Sequence, residues 1–313
     1  MYKKIATVTL VAVIATFVGF HFYSDIPAEK LKKHFANAYS HYLNFEGMTV
    51  HYQDEGTGIP LILLHGTASS LQTWDGWRKQ LRQDYRIIRL DLPGFGLSGP
   101  HPNKDYSIAM YDRMLSTLLD SLKIDECYLV GNSLGGEIAW NFTARHPAKV
   151  NKLILISPSG IRNETTTSPW VFDLTKTPLI QQALRYCTPK FLVKQNLLEV
   201  YGDDSKVDDK LVNRYHQTLL RSGNRQAFID RISMPKKDNT SMIGQVYAPT
   251  LIMWGKKDVW IPSELATKFS DKIADASMII YEDAGHVPME EIPIVTAQDA
   301  HKFFSGQMLV YIR

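Results

Sequence analysis

Tyr128-Leu129-Val130-Gly131-Asn132-Ser133-Leu134-Gly135-Gly136 decides how this chain is read. Tyr128 to Val130 form a short strand-like run, and a helical pattern begins at Leu134 and ends at His146-Pro147. A strand that reverses into a helix across one residue has no room for bulky groups two positions to either side. Gly131 and Gly135 stand at those places, with an added glycine at Gly136. Such a turn strains the backbone at Ser133 and pushes its hydroxyl out at the sheet edge, above the unpaired N–H groups of a helix start. Ser133 is therefore the candidate nucleophile, and the N–H of Leu134 is a candidate donor to a developing oxyanion.

A serine hydroxyl is a weak nucleophile near neutral pH, so a base must take its proton. Among the ten histidines, His286 has the fitting context, in Asp283-Ala284-Gly285-His286-Val287-Pro288 directly after the last strand-like run. The imidazole needs a carboxylate to orient it. Asp258 in Gly255-Lys256-Lys257-Asp258 follows the run Leu251-Ile252-Met253-Trp254, which gives the chain order Ser133, Asp258, His286. Glu164 and Asp283 compete for that role. The first stands several residues beyond a different strand, and the second reads as a turn residue beside His286. His65-Gly66-Thr67-Ala68 follows another apolar run and offers the Thr67 N–H as the second oxyanion donor. His65 reads as a loop brace, while His51 and His146 read as structural. Asp91-Leu92-Pro93-Gly94-Phe95-Gly96-Leu97-Ser98 is expected to shape the pocket floor and brace the loop at His65. Trp74 and Trp77 are read as core packing.

Outward from the serine, apolar strand runs alternate with helical stripes. Thr49 to Gln53, Leu61 to Leu64, Arg86 to Leu90, Leu153 to Ile156 and Met278 to Tyr281 complete the strand set. Ile108, Tyr111, Leu115, Leu118 and Leu122 mark one helix, and residues 263–272 and 289–304 mark two more. This alternation predicts a mostly parallel sheet covered on both faces. The rhythm breaks at residues 159–246, which hold Pro169, Pro178, Pro189 and Pro235 among helix-like pieces such as 211–221. That stretch is expected to be a helical cap, with a hidden strand pair as the alternative. The core is then 44–158 and 247–304, with a tail at 305–313.

With 313 residues, 44% hydrophobic and 21% charged, the chain can bury a large core. A net charge of +3 gives no basic face for nucleic acid. Two cysteines, Cys127 and Cys187, exclude a disulfide scaffold and a Cys-rich metal cluster, and no metal site is expected. Lys3-Lys4 precedes an apolar stretch, residues 5–23, which as a helix would reach roughly 28 Å, about the hydrocarbon thickness of a bilayer. The stretch closes without a small-residue cleavage pattern. Residues 1–23 are therefore expected to be an uncleaved signal anchor in the membrane, 24–43 a stalk, and the rest of the chain to lie outside the cytoplasm.

The motifs together resemble the α/β-hydrolase superfamily over residues 44–304, through His65-Gly66, Asp91-Leu92-Pro93-Gly94-Phe95-Gly96, the Ser133 elbow, Asp258 and Gly285-His286-Val287-Pro288. The resemblance implies an eight-stranded, mostly parallel sheet, a helical cap after the sixth strand, no cofactor, and Ser133, Asp258 and His286 as a catalytic triad. Serine at position 133 sets the chain apart from relatives that attack with a carboxylate, such as haloalkane dehalogenases and epoxide hydrolases. Carbon–carbon bond hydrolases of ring-cleavage products carry a similar Gly-Asn-Ser elbow. They typically have tryptophan after the histidine and a glycine-richer oxyanion loop, where this chain has Val287 and Thr67-Ala68-Ser69. On that ground the expected reaction is hydrolysis of small carboxylic esters, short to medium in acyl chain, by a serine esterase or lipase working through an acyl-enzyme. Carbon–carbon hydrolysis is the alternative, followed by haloperoxidase-like chemistry. A silent ligand-binding scaffold is the rival of another class. Trp170, Phe172, Leu174, Leu179 and Ile180 are expected to line an apolar acyl pocket.

Overall fold

A computed structural model describes residues 23–161, 169–174, 176–235 and 237–307. After α1 (Ala28–Phe35), β1 (Ser40–Phe45) and β2 (Met48–Glu55) form a hairpin. β3 (Ile59–Leu64) leads through α2 (Asp75–Leu81) to β4 (Tyr85–Leu90), and α3 (Ile108–Ser121) leads to β5 (Cys127–Asn132). α4 (Leu134–Arg145) connects to β6 (Val150–Ile156). The cap helices follow: α5 (Trp170–Leu174), α6 (Pro178–Leu184), α7 (Lys190–Val200), α8 (Asp209–Leu219) and α9 (Asn224–Ser233). β7 (Thr250–Gly255), α10 (Leu265–Ser270), β8 (Ala276–Tyr281), α11 (Pro288–Glu291) and α12 (Pro293–Phe304) close the chain.

The strands form one eight-stranded sheet in the order β1-β2-β4-β3-β5-β6-β7-β8. β2 runs antiparallel to both its neighbours, and every pairing from β4 to β8 is parallel. Side chains alternate across the central strands. Ile62 and Leu64 join the layer containing α3 and α4, while Leu61 and Leu63 join the layer containing α2 and α12. Both faces are thus dry, which explains the unbroken apolar runs in the sequence. Trp74 and Trp77 are fully buried and stack edge to face at 5.3 Å.

Two expectations need revision. Residues 24–43 are not a free stalk: Leu31 of α1 is buried, and β1 begins at Ser40. β1 is an edge strand with a largely exposed, polar sequence, so it carries little apolar signal. The last helical stretch is broken in two, because Pro293 lacks an N–H and holds Ile292 at φ −131, ψ 57, outside the helical region. The cap residues that are described form helices and turns, with no strand among them. The expected anchor lies outside the described residues except for Tyr23. Among the described residues, no helix is long and apolar enough to cross a membrane. Tyr23 donates its N–H to Tyr186 O at 2.9 Å, and Ile26 donates to Leu220 O at 2.7 Å, so residues 23–26 run along the cap.

Candidate active site

The loops after β3, β5, β7 and β8 meet at the carboxyl edge of the sheet, where open α/β sheets place their ligands. Ser133 sits between β5 and α4 at φ 54, ψ −115, a left-handed conformation that a serine keeps only when its surroundings impose it. Its carbonyl accepts from Glu137 N and Ser159 N, both at 3.0 Å, and its N–H donates to Ile156 O at 3.1 Å. The flanking glycines are required sterically. A Cβ on Gly131 would overlap Gly135 O and stand 2.6 Å from Gly136 N, and one on Gly135 would overlap Leu64 O.

His286 and Asp258 are joined through Nδ1 and Oδ2 at 2.7 Å, with both side chains almost fully buried. The other carboxylate oxygen of Asp258 accepts from Trp260 N and Ile261 N, each at 2.9 Å, so the carboxylate is held from two sides. That pairing fixes the imidazole with Nδ1 toward the acid and leaves Nε2 for proton exchange. Ser133 and His286 are brought together through the intervening Asn132. Its Nδ2 donates to His286 O at 3.0 Å and to Ile156 O at 3.1 Å. No direct hydrogen bond joins the serine to the imidazole. Among the described residues, the Thr67 and Leu134 N–H groups donate to no protein acceptor, as a waiting oxyanion site requires.

The bracing expected of the Asp91 loop takes a specific form. His65 donates from Nδ1 to Gly66 O at 2.7 Å and accepts at Nε2 from Leu92 N at 3.0 Å. Burial holds this imidazole below the ordinary histidine value despite the upward pull of Asp91 and the Gly66 carbonyl. Asp91 accepts from Leu71 N and Leu97 N at 2.8 Å and pairs with His51 Nδ1 at 2.7 Å. Burial pushes its carboxyl up, but His51, His65 and the Leu97 N–H outweigh that and hold it below the usual carboxylate value. Of the competing acids, Asp283 is exposed and faces Lys257, and Glu164 lies outside the described residues.

Some functional positions escaped the sequence reading. Asn132 stood out only as part of the Gly-Asn-Ser elbow, without its bond to His286. Trp260 stands against the His286 ring at 5.6 Å from a loop with no motif. Glu290 accepts from Thr73 Oγ1 and Tyr215 OH at 2.7 Å and pairs with Arg214, while Tyr215 OH lies 3.3 Å from Ser69 Oγ. This cluster ties α8 of the cap to both the loop after β3 and the helix after His286.

A cavity of about 90 Å³ lies between cap and core, bounded by Thr67, Ala68, Trp170, Phe172, Phe228 and Trp260 among others. Trp170 and Phe172 line it as expected. Leu179 does not, being 80% exposed, and Ile180 is absent from the lining. The side chain of Leu174 is outside what is described.

A family model described as alpha/beta hydrolase fold matches residues 59–293, and the chain belongs to that family. It is a hydrolase. It is 27% identical over 254 residues to the 2-hydroxymuconate semialdehyde hydrolase of Pseudomonas sp. (strain CF600), covering 77% of this chain and 84% of that one. It is 28% identical over 291 residues to the 2-hydroxy-6-oxo-6-(2'-aminophenyl)hexa-2,4-dienoic acid hydrolase of Metapseudomonas resinovorans, covering 89% and 95%. Among solved structures, a membrane phospholipase A described as a bacterial virulence factor superposes with a TM-score of 0.75 over 98% of this chain and 99% of that one. At 22% identity that likeness shows the fold alone.

These relatives overturn the expectation of carboxylic ester hydrolysis. Neither named substrate contains an ester, so hydrolysing either one breaks a carbon–carbon bond. The ester reading rested on Val287 and on residues 67–69, a few positions in two loops. The similarity to the carbon–carbon hydrolases extends along most of the chain, and the Asn132-Ser133 pair already pointed to them.

Proposed function

We propose that this chain hydrolyses the carbon–carbon bond of a 2-hydroxy-6-oxo-dienoate ring-cleavage product. Ser133 is the nucleophile, His286 the proton shuttle, Asp258 the orienting acid, and the Thr67 and Leu134 N–H groups the oxyanion site. The observation that supports this reading most is the similarity to hydrolases of such acids over 84% and 95% of their lengths.

The chemistry follows from the substrate class. A bond to a vinyl carbon does not break readily, so the dienol first becomes the keto form, its hydroxyl proton leaving and a proton arriving at C5. His286 Nε2 then takes the Ser133 proton as Oγ attacks C6, and the new alkoxide receives the two N–H groups. When the alkoxide collapses, the C5–C6 electron pair flows through the conjugated chain onto the C2 oxygen, which takes up the proton from the imidazolium. Water then attacks the acyl-serine with His286 as base, releasing the second acid and restoring the Ser133 hydroxyl.

The test is turnover of 2-hydroxymuconate semialdehyde by the full chain, followed as loss of absorbance when the conjugation shortens. Ser133→Ala should abolish it. No turnover of this dienoate or of its 6-phenyl analogue, from a preparation whose Ser133 still reacts with a fluorophosphonate, would overturn the reaction class while leaving the triad standing.

A further inference from the structure

The loop that carries the Thr67 N–H is a strained one. Ala68 sits at φ 58, a left-handed conformation that an alanine keeps only when its neighbours hold it there. Ser69 N closes the turn by donating to Gly66 O at 3.3 Å, and His65 Nδ1 holds the same carbonyl from the core at 2.7 Å. Beyond Ala68 the support comes from the cap instead. Ser69 Oγ lies 3.3 Å from the hydroxyl of Tyr215 in α8, and Ser69 is buried.

The direction of each bond follows from counting protons. Tyr215 has one hydroxyl proton and gives it to Glu290 Oε2 at 2.7 Å, so its oxygen accepts from the Ser69 hydroxyl. Burial and the neighbouring Glu290 carboxylate push the phenol up, so that proton stays in place across the neutral range. Glu290 Oε2 also accepts from Thr73 Oγ1 at 2.7 Å, and its other oxygen pairs with Arg214 of α8. Glu290 itself stands four residues after His286, on α11. The next residue, Glu291, accepts from Gly285 N beside the histidine at 2.8 Å. One carboxylate therefore fixes the cap to the helix that follows the base, and the phenol it orients reaches the oxyanion loop.

We propose that Tyr215 and Glu290 are positioning residues that make the oxyanion site depend on the cap: the chain Ser69–Tyr215–Glu290 holds the strained loop so that the Thr67 N–H is aimed only while α8 is seated. This deepens the proposed function and rests on its reading of Thr67 as an oxyanion donor. Tyr215 also lines the cavity, so a residue that faces a ligand is the one that sets the loop. With α8 lifted, Ser69 loses its cap partner. Ala68 can then relax toward negative φ, which moves the backbone on which Thr67 sits. Binding energy that seats the cap is thereby used to assemble the oxyanion site.

The rate at which a fluorophosphonate labels Ser133 of the full chain reads this site without any dienoate. The phosphoryl oxygen takes the oxyanion position as the Oγ–P bond forms, the Ser133 proton passes to His286 and fluoride leaves. Losing one oxyanion donor outright costs roughly 100- to 1000-fold, so misdirecting it should slow labelling roughly 10- to 100-fold. Tyr215→Phe, which keeps the ring and loses only the hydroxyl, should show that loss. On 2-hydroxymuconate semialdehyde the same factor should fall on kcat, with KM changed less than about 3-fold. Ser69→Ala breaks the same bond from the other end and should match it, and the double variant should be no slower than either single one. A staple that only stabilises the fold would lower the melting temperature and leave the labelling rate alone. Labelling of either single variant at the wild-type rate therefore overturns the proposal, and so do losses that multiply in the double variant. Should Tyr215→Phe fail to fold, Ser69→Ala decides. A wild-type chain that labels but turns over no dienoate counts against the reaction class, and the labelling comparison still decides this proposal.

Discussion

Replacing Gly135 with alanine tests how tightly the nucleophile turn is set against the oxyanion loop. Intrinsic helix propensity favours the change by about 1 kcal/mol, because Gly135 lies within α4 and alanine is the better helix former. The structure opposes it. A Cβ there would overlap Leu64 O and stand 2.6 Å from the Leu64 carbonyl carbon and 2.7 Å from His65 O, where ordinary contact begins at 3.4 Å. These are backbone atoms at the end of β3, so no side chain can rotate away and the strand end must retreat by about 1.2 Å. Overpacking of this kind costs roughly 1–3 kcal/mol. Against backbone the upper part of that range applies, about 2–3 kcal/mol, so the clash wins by about 1–2 kcal/mol, a fall in melting temperature of about 2–4 °C in a chain of this length. The retreating residues carry Thr67, so the proposed oxyanion donor moves too, and turnover should drop roughly 100-fold or more. Thermal unfolding and single-turnover kinetics on the same preparation measure both effects. A variant as stable as the wild type, with unchanged turnover, would refute the claim that elbow and oxyanion loop are in contact through this glycine.

Two other perturbations probe the supports of the site. Asn132→Ala removes the donor shared by Ile156 O and His286 O and should destabilise the fold by about 1–3 kcal/mol while freeing the histidine loop. Turnover should then fall more than stability alone explains, and unchanged kinetics in a correctly folded variant would count against Asn132 as the link between serine and histidine. His65 is buried with its pKa held below the unfolded value of 6.5, so between those two values the unfolded chain binds the extra proton. Its contribution to stability is complete above pH 6.5 and is lost as pH falls below it, with a slope of up to about 1.4 kcal/mol per pH unit. His216 is shifted in the same direction, and Asp91 adds its own loss only below its unfolded value of 3.8. Urea titrations from pH 7 to pH 5 should show a shallower decline for His65→Gln than for wild type; parallel curves would be the contrary result.

The legible parts of this molecule are those where one physical constraint dominates. Central strands buried on both faces must be apolar throughout, and Leu61 to Leu64 and Leu153 to Ile156 could be read as strands without their neighbours. The elbow was equally plain, because Gly131 and Gly135 are demanded by backbone atoms and not by a replaceable side chain. β1 was hidden for the opposite reason. At the sheet edge only Phe45 is buried, so the sequence Ser-His-Tyr-Leu-Asn-Phe shows no apolar face, and its pairing rests on the tight turn at Glu46-Gly47. The bond from Asn132 to His286 and the place of Trp260 could not be read in advance, because each depends on a partner distant in sequence.

The reaction class illustrates the same division. A serine, an imidazole and two N–H groups attack an ester carbonyl and a ketone in the same way, so the motifs around Ser133 cannot separate the two substrates. What separates them is the fate of the leaving group. An alkoxide leaves with a single proton, whereas a carbanion leaves only if its charge can run along a conjugated chain that the protein keeps in one plane. The selective contacts must then lie away from the serine, where the cap meets the core. In this chain that region presents the indole of Trp260 against His286, and a cavity whose unpaired polar groups all donate. Position 287, directly after the histidine, holds a buried valine, and the fold places the indole of Trp260 beside the imidazole from the loop after β7. Position in the sequence therefore misled where position in space did not.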